Sequence, residues 1–257
     1  MLLDESTTGD RRAAPAAPGT AAGNRAMQQE LMTALKIVDT PSICNAIEVV
    51  QGKRGFDRYT RGTVLSSRAN AAPIVGYAIT ARIAARALST EDPGVIRERR
   101  MAYYKMMADA PRPGIAVVED VDYPACVGAF WGEVNTTVHK GFGIGGALTN
   151  GVMRDLDALP DGFPVIAGSV GPSHAFVHVR EIAIPVTVFG LTIHPGELIH
   201  ADRHGALVIP DDVLSELPKA IAKMQATEEI VLGPARAANF DFAAFEKAWA
   251  AFEKART

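Results

Sequence analysis

Gly143-Ile144-Gly145-Gly146-Ala147-Leu148-Thr149-Asn150-Gly151-Val152-Met153-Arg154-Asp155-Leu156 is the stretch around which the chain is organised. A short apolar run framed by glycine ends in an Asn-Gly turn signal, and an Arg-Asp pair follows where the next helical pattern begins. Charge therefore sits at the end of a buried strand. In open α/β architectures ligands bind at such ends, because the loops leaving the strands form a crevice and the following helix offers its N-terminus to anions. The guanidinium of Arg154 suits a carboxylate through two parallel N–H···O bonds, and Asp155 suits a hard divalent cation. A plainer reading stands beside this one, in which Asp155 caps a helix starting at Leu156 and Arg154 is a solvated or ion-paired neighbour.

Upstream, residues 1–26 are rich in Ala, Gly, Pro and Thr and lack an apolar run long enough for a signal peptide or membrane span, so they read as a disordered tail, with Met27 a natural start. Helical spacing follows from Gln28 to Val38, and Thr40-Pro41 reads as a cap and first residue of a second helix to Val50. Gly52 to Ala72 has no clean period. Ile74 to Ala85 alternates as a half-buried strand, Thr90 to Ala110 reads as a helix, and Gly114-Ile115-Ala116-Val117-Val118 as a short apolar strand closing on Glu119-Asp120. In that helix Arg97 to Arg100 reads as a solvated face, and Met101, Met106 and Met107 as core filling. Tyr123 to Lys140 is a loop and a helix.

Downstream the texture turns to β. Phe163 to Ala167, Ile184 to Phe189, Glu197 to Ala201 and Ala206 to Ile209 are short strands between Pro and Gly turns, and Asp211 to Val231 and Phe240 to Arg256 are amphipathic helices. Irregular β segments mixed with helices argue for one α/β domain with a curled, mixed sheet and flanking helices.

The 257 residues and 48% hydrophobic content suit a soluble chain with a real core. A net charge of −3 without a basic block excludes an electrostatic footprint for nucleic acid, and nothing suggests a membrane partner. Cys44 and Cys126 are too few for a disulfide framework and lack CxxC spacing, which fits a reducing cytoplasm.

Gly114 to Glu119, Trp131-Gly132-Glu133, Gly151 to Asp155, Phe163 to Ala167 and the block Pro195 to Pro210 resemble, in that order and at similar spacing, the RraA-like family. That family contains the class II 4-hydroxy-4-methyl-2-oxoglutarate and 4-carboxy-4-hydroxy-2-oxoadipate aldolases and the protein regulators of ribonuclease E. The resemblance spans about Leu31 to Val231. It implies a swivelling β/β/α-type domain over residues 27–232 with a C-terminal helical extension over 233–257, assembled as a homotrimer or homohexamer. The extension carries Phe242, Phe245, Trp249 and Phe252 at helical spacing, suited to clasping a neighbour.

Carried over residue by residue, the resemblance makes Asp155 the anchor of Mg²⁺ or Mn²⁺ and Arg154 the group that binds the pyruvoyl part of a 2-oxo acid and stabilises enolate charge. Gly132 and Glu133 belong to the loop over the site, where Glu133 moves protons and the backbone N–H groups of Val134 and Asn135 meet the substrate carboxylate. A metal-dependent lyase releasing pyruvate enolate, with oxaloacetate decarboxylation through the same enolate, is the implied activity; a non-catalytic regulator that binds ribonuclease E is the alternative. No lysine sits in a recognisable pocket motif, so a Schiff base has little support. Two positions depart from the family's pattern: Asn45 stands where many relatives have Asp, and Glu133 where the aldolases use a shorter Asp. His174 and His178 are also unusual, and their i, i+4 spacing would place them on one face of a helix, as metal ligands or as residues that tune substrate choice.

Overall fold

The structure, a computed structural model, describes residues 21–256. Two helices come first, α1 (Ala21–Lys36) and α2 (Thr40–Gln51), then β1 (Leu65–Ser66), β2 (Ile74–Ala84), α3 (Pro93–Asp109), β3 (Gly114–Asp120), β4 (Ala129–Trp131) and α4 (Glu133–Gly141). The strands β5 (Ile144–Thr149), β6 (Val152–Met153), β7 (Val165–Ala167), β8 (Ser169–Val170), β9 (His178–Ile182), β10 (Val186–Val188), β11 (Leu191–Ile193), β12 (Leu198–Asp202) and β13 (Gly205–Val208) follow. Helices α5 (Leu217–Ala235) and α6 (Phe242–Arg256) close the chain.

The main sheet is mixed and curled, in the order β1-β7-β5-β3-β2-β12-β13. Its centre, β2-β3-β5-β7, is parallel: the chain crosses over through α3 from β2 to β3, through α4 from β3 to β5, and through β6 and the turn after it from β5 to β7. On the β2 edge away from β3, β12 pairs with the first half of the strand and β9 with the second, both antiparallel. β2 is buried almost throughout, not half-buried by alternation as expected, because both of its faces are covered: Ile74 and Ala78 pack in one cluster and Ile79, Ala81 and Ile83 in the other. Covering both faces also explains the continuously apolar β3. Its Ile115 and Val117 pack toward the β10–β11 hairpin and the β12–β13 pair, while Ala116 and Val118 pack toward Tyr103, Met107 and Trp131.

A third cluster joins α1, α2 and α5 to the outer strands through Leu35, Ile43, Ile47, Leu198, Leu207 and Leu217. Here the block Pro195 to Pro210 has a structural use. The Asp202 carboxylate accepts the Thr40 N–H at 2.9 Å, and His200 bridges the Thr40 hydroxyl (3.0 Å) and the Leu35 carbonyl (2.9 Å), so the strand fixes the α1–α2 corner. The cap of α2 is Asp39, which accepts the Ser42 N–H at 2.9 Å; Thr40, expected as the cap, is the first helical residue because its own N–H is taken by Asp202.

Other boundaries move as well. The tail expected over 1–26 lies outside the described residues as far as residue 20, and α1 already begins at Ala21. The boundary expected at 232 falls inside α5, and α6 folds back on α5 with its rings stacked in a ladder, Phe242–Phe245 at 6.0 Å, Phe245–Trp249 at 5.6 Å and Trp249–Phe252 at 5.2 Å. Among the described residues no helix is long and apolar enough to cross a membrane.

Burial lowers the pKa of two core histidines, His139 to about 4 and His200 in the same direction. The unfolded chain takes up these protons near the ordinary histidine pKa of about 6.5, so below that pH the unfolded state binds more protons than the folded one. Stability is therefore full above about pH 6.5 and falls as pH drops toward 4, by at most ~3 kcal/mol for His139. Urea midpoints measured between pH 7 and 4.5 should fall, and in His139→Gln the same acid step should be smaller. An unchanged slope in that variant would show that His139 does not carry it.

Candidate active site

The end of β5 and the end of β3 are joined by one side chain. Asn150, buried beyond Thr149, accepts the Asp120 N–H at 2.7 Å through Oδ1 and donates from Nδ2 to the Asp120 carbonyl at 3.2 Å. Gly151 lets the chain pass, because a Cβ there would lie 3.0 Å from Asp120 Cβ. The chain then enters β6, the middle strand of a small parallel sheet β4-β6-β8, and Arg154 N–H donates to the Trp131 carbonyl at 2.8 Å.

No helix starts at Leu156. Residues 156–158 form a turn, and Asp155 takes a left-handed backbone (φ 55°), which a short polar side chain tolerates better than most. Asp155 caps a different helix. Its Oδ2 accepts the Glu133 N–H at 3.1 Å, the first residue of α4, so the Arg154-Asp155 turn is tied to the Trp131-Gly132-Glu133 turn. Gly132 permits this approach: a Cβ would meet Asp155 Oδ2 at 2.5 Å and Arg154 Nε at 2.9 Å. Arg154 Nε lies 3.3 Å from Asp155 Oδ2 but is not aligned for a hydrogen bond, and remains buried without a partner. Both side chains are about one-third exposed, so the ion pair itself adds little stability.

The second and third N–H groups of α4, those of Val134 and Asn135, have no acceptor within the helix and point out of its N-terminus with the positive end of the dipole. The Asn135 side chain is used internally. It accepts from Tyr104 Oη at 2.9 Å and donates to the Phe130 carbonyl at 2.8 Å. Beneath it His139 spans the Asn135 carbonyl (2.6 Å) and Tyr103 Oη (2.7 Å), which holds α4 against α3. The Glu133 side chain is exposed and makes no hydrogen bond among the described residues.

A cavity of about 260 Å³ opens at this helix terminus. Gly132, Val134, Asn135 and Arg154 line it together with Arg100, Tyr103 and Tyr104 of α3 and His174 and His178. Four of the six residues expected at the site are thus in one wall, and Glu133 and Asp155 stand at its edge. Larger depressions of about 630 Å³ between α2, α5 and α6, and 510 Å³ beside Arg68 to Pro73, contain none of the six; Asn45 belongs to the first of these. His174 and His178 do not share a helical face, because His174 is in a loop and His178 opens β9. Arg100 and the two tyrosines were hidden in what reads as a solvated and core-filling helix. Nothing in their spacing marks them.

Among the described residues, the buried side-chain polar atoms without a hydrogen-bond partner are Asp120 Oδ2, Trp131 Nε1, Arg154 Nε and His178 Nε2, and all belong to this end of the molecule. Buried polar atoms are nearly always paired, and of these four residues Arg154 and His178 line the cavity. No group of three or more His, Cys, Asp or Glu side chains that could hold a metal occurs among the described residues. Asp155 alone offers a hard donor, through the Oδ1 that the α4 cap leaves free.

An α/β chain with a curled mixed sheet and an Arg-Asp turn facing a helix N-terminus defines a class of related folds. A family model described as RraA-like, Aldolase/RraA, matches residues 40–208, and the chain belongs to that family. A protein of Halalkalibacterium halodurans that carries the provisional name 4-hydroxy-4-methyl-2-oxoglutarate aldolase is 30% identical over 131 residues, 50% of this chain and 61% of that one. The chain spans between 20 and 61% of the length of the curated relatives it matches. An uncharacterized protein from Pseudomonas syringae superposes with a TM-score of 0.65 at 19% identity, over 95% of this chain and 99% of that chain. Streptomyces coelicolor RraAS2, described as an unusual member of the RNase ES inhibitor RraA protein family, superposes with a TM-score of 0.60 at 20% identity, over 78% of this chain and 94% of that chain. At these identities the two structures establish the fold.

The contact at Gly132 can be tested directly. The atoms a Cβ would meet there are ends of side chains that can swing away, so Gly132→Ala should lower thermal stability only slightly, on the order of 1 kcal/mol. It should nonetheless displace Arg154 and Asp155. Amide hydrogen exchange at Glu133, protected in the parent by Asp155, should speed up in the variant; unchanged protection would show that the turn tolerates a side chain.

Proposed function

We propose that the protein is a divalent-metal-dependent lyase that cleaves a C–C bond of a 2-oxo acid to give pyruvate enolate, of the 4-hydroxy-4-methyl-2-oxoglutarate aldolase type and able to decarboxylate oxaloacetate. What carries the reading is the convergence of Arg154, the free N–H groups of α4 and the unpaired His178 on a cavity of a size for one small acid. The N–H groups of Val134 and Asn135 suit the carboxylate of the pyruvoyl part. Arg154 faces the same space with donors not used by the protein, placed to meet negative charge as it develops on the 2-oxo oxygen.

Asp155 fits a loosely held Mg²⁺ or Mn²⁺, since the one carboxylate oxygen that the helix cap leaves free would leave most of the coordination shell to water and substrate, as is usual for Mg²⁺. When bound, such an ion supplies Lewis-acid polarisation of the 2-oxo group. Glu133, expected to move protons, lies outside the cavity wall with its side chain in solvent, so any part it plays runs through water. The Streptomyces structure named as an RNase ES inhibitor relative shares the fold with this chain and offers no comparable argument for a regulator.

Pyruvate release from 4-hydroxy-4-methyl-2-oxoglutarate and from oxaloacetate should require added Mg²⁺ or Mn²⁺ and stop with EDTA. Asp155→Asn keeps a cap acceptor and a residue that tolerates the left-handed backbone, so it should fold and lose turnover. Arg154→Lys keeps the charge but not the planar donor set, and should lose about 10²–10³ in kcat. Metal-independent turnover would refute the metal assignment, an Arg154→Lys within a few-fold of the parent would refute the role of Arg154, and no turnover of either acid would leave the binding protein as the better description.

A trimer or dimer of trimers is part of the same proposal. Val121, Tyr123, Val127, Val134 and Phe176 are large apolar side chains left exposed, Val134 in the cavity lining itself, and exposed apolar surface of this kind is what a neighbouring subunit covers. Light scattering at micromolar concentration should give at least three times the mass of the 27.3 kDa chain. A monomer mass would count against it.

A further inference from the structure

His178 is the second unusual histidine of the sequence and one of the four orphaned polar groups. It is 6% exposed, lines the cavity that holds Arg154, and its Nδ1 lies 2.8 Å from the Phe176 carbonyl. A carbonyl oxygen only accepts, so Nδ1 carries the hydrogen and Nε2 of the neutral ring presents a lone pair. That Nε2 is buried and has no partner among the described residues. The ring is also held in place. His178 pairs with Ala84 at the edge of β2, and the next residue, Val179, accepts from Arg99 at 3.3 Å, while Arg99 is locked by two bonds to Glu91 of 2.8 and 2.7 Å.

The contrast with His139 is informative. That ring also has Nδ1 against a carbonyl, but its Nε2 is satisfied by Tyr103 Oη at 2.7 Å, so it has nothing to offer a ligand. His178 has the same fixed tautomer and an open acceptor. Glu133 does not reach the cavity wall, and no carboxylate lines it. Among the described residues the imidazoles in the cavity lining are those of His174 and His178, and His174 is exposed in its loop with Nδ1 turned to the Ala175 carbonyl at 2.8 Å.

Resting on the lyase reading above, we infer that His178 is the general base of C–C cleavage, taking the proton of the substrate's 4-hydroxyl at Nε2. The O–H bond breaks as Nε2 gains the proton, the oxygen's electron pair forms the new carbonyl at C4, and the C3–C4 pair moves into the 2-oxo group to leave pyruvate enolate beside Arg154. The imidazolium returns its proton to water, and C3 of the enolate takes one from water, so protons and electrons balance. A base at this position serves substrates that carry a hydroxyl on one of the two carbons of the bond that breaks. Decarboxylation of oxaloacetate involves no such hydroxyl and needs no base at this position.

The two reactions separate the base from the rest of the site. His178→Gln and His178→Ala should lose at least about 10² in kcat for 4-hydroxy-4-methyl-2-oxoglutarate cleavage, the usual scale for a general base, while oxaloacetate decarboxylation with Mg²⁺ stays within a few-fold of the parent. The retained decarboxylation also reports a folded site. Equal loss of both reactions in both variants would overturn the inference and make His178 a structural residue, and unchanged cleavage would overturn it outright. A parent protein that decarboxylates oxaloacetate but does not cleave the hydroxy acid would overturn the base while sparing the enolate-forming site. A parent that does neither would remove the lyase reading and this inference with it.

Discussion

One hydrogen bond joins the two segments on which the site depends. The Asp155 carboxylate accepts the first N–H of α4 across a glycine that leaves room for it, and so couples the turn after β6 to the turn after β4. Either turn alone is an ordinary loop. Linked, they bring a guanidinium, a carboxylate with one oxygen free and a helix N-terminus to one place, with opposite charges arranged around a small cavity. The cap also explains why Asp155 tolerates a left-handed backbone: the side chain that favours that conformation is the one the helix terminus requires.

The rest of the fold keeps those turns still. Parallel β3 and β5, buried on both faces, end together, and Asn150 binds the two ends through both of its amide atoms. Behind them Trp131, His139 and Phe163 pack edge to face or tilted, with centroids 4.8 Å apart for Trp131 and His139, and the Tyr103–His139 and Tyr104–Asn135 bonds fasten α4 to α3. On the far side of the sheet the block Pro195 to Pro210 anchors α1 and α2 through His200 and Asp202. That block marks the family in the sequence and touches none of the cavity. Its chemistry is the chemistry of a corner, not of a reaction.

How much of this was legible depended on range. The buried strands β3 and β5, the helices α2, α3 and α6 and the Arg154-Asp155 turn all announce themselves in local pattern, because burial on both faces, proline at a helix start and an Asn-Gly turn are short-range signals. The helix expected at Leu156 was not there, since local capping preference cannot distinguish a helix that follows Asp155 in sequence from one that meets it in space. The half-buried reading of β2 failed for a related reason: the β10–β11 hairpin, far later in the chain, covers one face, and Tyr103 and Met107 of α3 cover the other. Strands of two or three residues, such as β4, β6 and β8, carry too little periodicity to register and exist by pairing with one another. Arg100, Tyr103 and Tyr104 look like helix surface and filling until α3 is seen to pack against α4.

The histidines show how a structure separates side chains that a sequence cannot. His139, His178 and His200 are all buried, and all have a ring nitrogen against a backbone carbonyl. In His139 and His200 the second nitrogen meets a hydroxyl, of Tyr103 or Thr40, so the ring is a bridge whose two ends are both occupied. In His178, which lines the cavity, the second nitrogen is buried and has no partner among the described residues. A buried imidazole loses roughly 1–3 kcal/mol when one polar atom is left unpaired, so a fold gains nothing in stability from that arrangement. A partner supplied to that nitrogen would meet a ring whose tautomer the Phe176 carbonyl has already fixed.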